Sequence, residues 1–216
     1  VGTAIGDITA GLFTAIGVNA ALFDRTKSGL GQFIDVAMLD CQIAILENAI
    51  ARYFATGANP GPSAARHPSI APFECYESRN GHVIVAAGND ALFVKLSKAI
   101  GNPNLAIDPR FETNRSRMEN VSALKEALET ILTTHDTDYW LRKFEIAGVP
   151  CGPLNTVAQA VENPQVQSRN MVVEIDDDRA HRLKIAGNPI KLSRYPDPDT
   201  RGPTPALNQH RHFIDK

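Results

Sequence analysis

Cysteine is scarce in this 216-residue chain, and the three present, Cys41, Cys75 and Cys151, are odd in number and far apart. They form no CxxC pair, so neither a disulfide framework nor a zinc site is indicated, and a reducing cytoplasm fits best. Excess basic charge is absent as well: 22 Lys and Arg stand against 24 Asp and Glu, a formal net charge of −2. That balance argues against nucleic acid or an anionic membrane as the main partner. GxGxxG after a strand, the GxxxxGK phosphate loop, HExxH and the GxSxG elbow are all missing, which removes the commonest dinucleotide, nucleotide, zinc-protease and serine-hydrolase readings. The chain has no initiator Met at its start and opens inside a Gly-rich turn. The expectation is a fragment whose N-terminal part lies elsewhere.

What is present is a sizeable apolar share, 43% of residues, enough for a packed core. The stretch "GDITAGLFTAIGVNAALFD" predicts a helix from Asp7 to about Asp24, with Ile8, Leu12, Phe13, Ile16 and Ala20 on one face. Asp7, Thr9, Thr14 and Asn19 interrupt it, and no basic region precedes it, so a membrane span and a signal peptide are both set aside. "QFIDVAM" alternates as a short strand, and a second apolar helix is expected from Leu39 to Thr56, stopped by Gly57.

Residues 57–72, "GANPGPSAARHPSIAP", carry four prolines and two glycines and read as a linker or an ordered binding loop. "FECYES" and "HVIVAAG" predict a hairpin around Asn80-Gly81. Helices follow: "NDALFVKLSKAIG", capped by Asn89 or Asp90 and stopped at Gly101, and two or three more before residue 148. "VPCGPLNTVAQAVENPQVQSRNM" predicts a loop, a short helix and a turn. The strands "VVEI" and "LKIAG" flank the acidic turn "DDDRAH", and the tail from Ser193 reads as irregular.

Few residues invite chemistry. Asp7 sits where a helix N-cap belongs, with Gly6 free to turn the chain sharply into the helix. The same place suits an anionic nucleophile, because first-turn N–H groups and the helix dipole favour negative charge there. Arg66 and His67 lie in the Pro-bounded loop, suited either to a ligand or to a plain linker. Asn89 is most simply a cap, Cys151 a small buried residue, and Trp140 with Tyr139, Leu141 and Phe144 a helix core. His210 and His212 form an HxH that reads as surface in a polar tail.

The pattern as a whole resembles the class III CoA-transferase family, which also includes α-methylacyl-CoA racemases. Its carriers are "GDITAG", "TKSGLGQFIDVAMLD", "APFECYESRNGHVIVAAGND", "AGVPCGPLNTVAQAVENPQV" and "GPTPALNQH". The resemblance implies an α/β fold: a Rossmann-like large domain, mostly upstream, with a smaller α+β domain. It implies residues 1–56 in the large domain, a linker or active-site loop at 57–72, the small domain at 73–170, and a segment returning toward the large domain at 171–216. It implies an interlocked homodimer, with acyl-CoA and a small carboxylic acid as partners, CoA as substrate, and no metal or tightly bound cofactor.

By the same resemblance Asp7 is the covalent nucleophile, and Gly6, Met38, Arg66, His67 and Asn89 are the substrate or CoA-site residues. Racemases of the family place a Glu where Asn89 stands, and an amide cannot exchange the proton that role needs. Asn89 and the "PCGP" at 150–153 therefore favour transfer over racemisation, and the third alternative is a non-catalytic interaction fragment. Formyl-CoA transferase carries a run of glycines where this chain has "SAARHPSIAPF". The change turns the expectation away from formyl and oxalate toward a dicarboxylate or another acid whose charge Arg66 meets.

Overall fold

The computed structural model describes residues 2–177 and 183–214. They divide into two compact units, one up to Ala64 and one from Ala65 onward.

The first unit is helical. α1 (Ile5–Ser28) runs four residues further than its apolar pattern, and Gly29 closes it in the left-handed conformation (φ 72°), its N–H on the Arg25 carbonyl at 2.9 Å. α2 (Met38–Ala44) and α3 (Glu47–Thr56) replace the single helix expected over 39–56. The chain turns at Ile45-Leu46, and Gly57 terminates α3 as anticipated (φ 71°). Residues 32–37 form no strand. A strand exists by pairing, and no strand is found among the described residues of this unit, so the α/β character expected for 1–56 is corrected to all-helical there.

Among the described residues of this unit two side chains, Thr9 and Cys41, are buried, whereas Leu12, Ile16, Phe33 and Phe54 are exposed, Phe33 by 92%. α1 is long and apolar enough to cross a membrane by length and composition. Three of the four polar residues set against that reading satisfy themselves inside the helix. Thr9 donates to the Ile5 carbonyl (2.7 Å), Thr14 to Ala10 (2.8 Å) and Asn19 to Ala15 (2.7 Å).

The second unit holds the core. β1 (Phe73–Ser78), β2 (Gly81–Ala86) and β3 (Cys151–Pro153) make an antiparallel sheet in that order. The hairpin is as expected, with its turn at Arg79-Asn80, one residue earlier than its Asn-Gly signal; β3 falls where a loop was expected. On β2 the inward residues are Val83 and Val85, but opposite them β1 presents Glu74 and Tyr76. Against this face pack α4 (Asp90–Ala99), a 3₁₀ turn (Pro103–Ile107), α5 (Asn114–Glu119), α6 (Val121–Leu132) and α7 (Thr137–Ala147). Phe93, Leu96, Leu124, Leu128, Leu132, Trp140 and Phe144 fill the space between them. Trp140 donates its indole N–H to the Leu132 carbonyl at 2.6 Å. The hairpin turn caps α7 from outside: Asn80 Oδ1 accepts the Thr137 amide (2.9 Å), and Arg79 pairs both Nε and Nη2 with the Asp136 carboxylate.

α8 (Val157–Glu162) and α9 (Pro164–Ser168) lead to a second sheet ordered β5-β4-β6. β4 (Val172–Ile175) and β5 (Lys184–Ala186) are the expected pair; the turn between them, 178–182, lies outside the described residues. The tail expected to be irregular supplies β6 (Thr200–Arg201), parallel to β4, and α10 (Arg211–Ile214). Gly187 admits no side chain, since a Cβ there would stand 2.2 Å from the Asn170 carbonyl oxygen.

Trp140 is the chain's single tryptophan and is 2% exposed, so its fluorescence reports this core. Leu128→Ala is expected to destabilise the second unit by about 2–5 kcal/mol, read as a lower urea midpoint of the Trp140 signal. Exposed Phe54→Ala is expected to leave that midpoint in place.

Candidate functional site

In the first unit, α1 and α2 bring three predicted residues into one neighbourhood. Asp7 is the third residue of α1, and its N-cap is Ala4, so the capping reading is corrected. The Asp7 carboxylate makes no hydrogen bond or ion pair among the described residues and is exposed. The reason is local geometry: the helix starts two residues ahead of Asp7, which puts the side chain in the first turn, where negative charge is favoured by the dipole, and not at the cap. The expected sharp turn at Gly6 is also corrected, since Gly6 is already helical and is not among the positive-φ glycines. A Cβ on Gly6 would meet Met38 Cε at 3.6 Å and Gln42 Nε2 at 3.7 Å, ordinary contact distances. Gln42 donates to Thr9 Oγ1 at 2.8 Å, locking α2 against the first turns of α1. A cleft of about 340 Å³ opens beside these helices, lined by Phe13, Gly17, residues 34–37, Asp40, Cys41 and Ala44; Asp7 does not line it.

In the second unit, the 65–72 loop is tied down along its length. His67 donates its amide to the Phe73 carbonyl (2.8 Å), and its ring stacks on Phe73 with centroids 5.2 Å apart. Asn114 accepts the Ala71 amide (3.1 Å) and donates to the Ser69 carbonyl (3.0 Å). Ala87 donates to the Pro72 carbonyl at 2.9 Å. Asn89 is the N-cap of α4, its Oδ1 accepting the Leu92 amide at 2.9 Å, as its position predicted.

Arg117, which no motif singled out, joins the two. It is completely buried. Its Nε donates to the Ala71 carbonyl (2.6 Å), Nη1 to Phe111 (2.8 Å) and Glu112 (3.2 Å), and Nη2 to Asp90 Oδ1 (2.6 Å), while the guanidinium lies 4.6 Å from the Phe93 ring centre. One side chain thus fixes the end of the Arg66–His67 loop to the head of the helix that Asn89 caps. Its only signal in the sequence is register: stepping back seven residues from Leu124, in line with Leu128 and Leu132, lands on Arg117.

Lys125 organises the remaining polar groups. Its ammonium meets Glu74 (3.1 Å), Glu129 (3.3 Å) and the Cys75 carbonyl (2.9 Å). The two carboxylates lift its pKa despite the opposing effect of burial. Burial pushes the thiols of Cys75 and Cys151 up. Among the described residues no group of three or more His, Cys, Asp or Glu could hold a metal ion.

The comparisons with known proteins agree with this architecture. The family model for CoA-transferase family III matches residues 1–211, and the chain belongs to that family. It is 40% identical to the acetyl-CoA:oxalate CoA-transferase of Acetobacter aceti over 96% of this chain and 52% of that protein. It is 32% identical to the succinate–glutarate CoA-transferase of Agrobacterium fabrum, over 97% and 52% respectively. Among solved structures, a CaiB/BaiF family protein from Brucella suis superimposes with a TM-score of 0.80 at 36% identity, covering all of this chain and 55% of that one. The chain spans about half the length of the curated relatives it matches.

Arg117→Ala is expected to cost about 3 kcal/mol or more by orphaning the Ala71, Phe111 and Glu112 carbonyls, measured as a shift of the Trp140 unfolding midpoint. Because their pKa values are raised, Cys75 and Cys151 are expected to stay protonated near neutral pH. Their alkylation by iodoacetamide should be slow there and accelerate as the pH rises past the ordinary thiol range.

Proposed function

We propose that the protein carrying this chain transfers coenzyme A from an acyl-CoA donor to a carboxylic acid, through a covalent intermediate on Asp7. The observation that carries the reading is the Asp7 carboxylate itself. It stands exposed in the first turn of α1, without a hydrogen bond, in a chain that matches the CoA-transferase model across residues 1–211. A carboxylate kept merely to cap a helix would be engaged with a first-turn amide.

The chemistry is acyl exchange, with no change of oxidation state. An Asp7 oxygen attacks the donor thioester carbonyl, the C–S bond breaks, and a mixed anhydride and CoA thiolate result. The thiolate attacks the Asp7 side of the anhydride, releasing the donor acid and leaving an aspartyl-CoA thioester. The acceptor carboxylate then attacks that thioester, again expelling thiolate. Attack of the thiolate on the acceptor's acyl carbon gives the new acyl-CoA and restores Asp7. Carboxylates are weak nucleophiles, so positioning and oxyanion donors must supply much of the rate. Among the described residues the amides of Gly6 and Asp7 have no backbone acceptor, and they are suited to that role.

Gly6 and Met38 are assigned to the surroundings of the nucleophile, and Arg66, His67 and Asn89 to substrate contact. Asn89 spends its oxygen on the helix cap, which leaves its amide NH₂ to donate but gives no group that exchanges a proton. That favours transfer over racemisation. The sequence-based turn away from oxalate is not maintained, because the relative named for oxalate shares 40% of its residues with this chain. The names of the relatives support an acceptor bearing two carboxylates. The active species is assigned as a cytoplasmic homodimer with a Rossmann-like large domain, acting on acyl-CoA without a tightly bound cofactor, nucleic acid or membrane.

Asp7→Ala in the full-length protein is expected to lower kcat by about three orders of magnitude or more. Incubation of the wild type with acyl-CoA and hydroxylamine should leave a hydroxamate on the peptide that carries Asp7. Full activity in Asp7→Ala, with no modified peptide in the wild type, would exclude the covalent route.

A further inference from the structure

Among the described lysines and arginines of the second unit that are buried or half-buried, Arg66 alone has no ion-pair partner. Lys125 has Glu74 and Glu129, and Arg117 has Asp90 and three carbonyls. Arg79 has Asp136, and Arg110 has Asp108. Arg66 is half-buried, its Nε is inaccessible to solvent, and among the described residues it has neither an acid within ion-pair distance nor a hydrogen-bond acceptor for Nε. A guanidinium N–H withdrawn from water without an acceptor is costly, and a ligand that supplies the acceptor removes that cost.

A second orphan lies in the same neighbourhood. The Tyr76 hydroxyl is fully buried and reaches no hydrogen-bond partner among the described residues; burial and then the charge of Glu74 push its pKa up, and the Arg66 charge opposes that rise. Glu74 and Glu129, the acids whose charge reaches Tyr76, are both committed to Lys125.

The loop that carries Arg66 is also built unlike a tether. Asn114, Arg117, Ala87 and the His67–Phe73 stack hold residues 67–72 at both ends, so little conformational freedom remains to be lost when a ligand binds.

We infer that Arg66 is the acceptor-selecting residue: its guanidinium receives, through paired N–H donors, the non-reacting carboxylate of a dicarboxylic acid. The planar fork of arginine matches a carboxylate with two parallel hydrogen bonds, which a lysine at this place would not reproduce. Arg117 and Asn114 act as positioning residues, since they touch the loop backbone and not the acid. The inference rests on the CoA-transfer reading above and supplies the part of it that distinguishes one acid from another.

The test uses the full-length protein with dicarboxylates of two to five carbons and monocarboxylates of the same carbon counts. Each is measured as a CoA acceptor in steady state and as a ligand by calorimetry. Arg66→Gln is expected to raise KM and Kd for the preferred dicarboxylate about tenfold or more, with the monocarboxylates and CoA unchanged. Arg66→Lys should recover part of the loss and no more. Equal losses on mono- and dicarboxylates, an effect on CoA alone, or no effect of Arg66→Gln would each overturn the inference. The outcome is separable from that of the transfer reading. Asp7→Asn should abolish turnover yet keep Arg66-dependent binding of the dicarboxylate, whereas a wrong transfer reading would leave that binding intact with no turnover in any variant.

Discussion

The buried guanidinium of Arg117 is the constraint on which the second unit depends. A cation removed from water in this way persists only when most of its donors are met, and Arg117 meets three carbonyls and one carboxylate from three separate stretches of chain. The carbonyl of Ala71 ends the Pro-bounded loop, those of Phe111 and Glu112 belong to the turn before α5, and Asp90 opens α4. None of these stretches is held in place by the sheet alone. Fixing all of them to one rigid planar group converts a loop, a turn and a helix start into a single support, and the face of Phe93 closes the arrangement from the core side.

The rest of that unit is consistent with such a support. The sheet contributes an apolar face on β2 and a polar one on β1, where Glu74 is 8% exposed and matched by Lys125. A buried pair of this kind adds little net stability compared with apolar residues of the same volume, but it fixes which surface of α6 meets which strand. Arg66 is then the exception among the described lysines and arginines of this unit that are buried or half-buried, and an exception of that kind is where function is sought.

The first unit has a different logic. Its α1 and α2 are held to each other through Thr9, Gln42 and Cys41, yet most of its apolar side chains face outward. A 64-residue unit with two buried side chains among its described residues cannot offset its own chain entropy by burial. Its helices owe their persistence to propensity and end caps at Gly29 and Gly57, and the exposed apolar surface is the kind that further protein covers.

Local rules carried the sequence reading a long way. The hairpin at 73–86, the cap at Asn89, the stop at Gly57, and the β4–β5 pair all follow from side-chain periodicity and the backbone freedom of glycine, which act within a few residues. The family, too, was legible, because its blocks are contiguous. What tertiary structure alone decided depended on partners distant in sequence. Residues 32–37 alternate like a strand but pair with nothing among the described residues, whereas Cys151–Pro153 and Thr200–Arg201 become strands because an edge is available to them. Asp7 passed from cap to free carboxylate because the helix begins two residues earlier than its apolar pattern does. Arg117 and Arg66 look alike among the chain's arginines, and only the folded chain separates them: one is enclosed by carbonyls and a carboxylate brought from three segments, the other is half-buried with its Nε unmet among the described residues. A sequence specifies which groups carry charge, but whether a charge is answered is a property of distances in three dimensions.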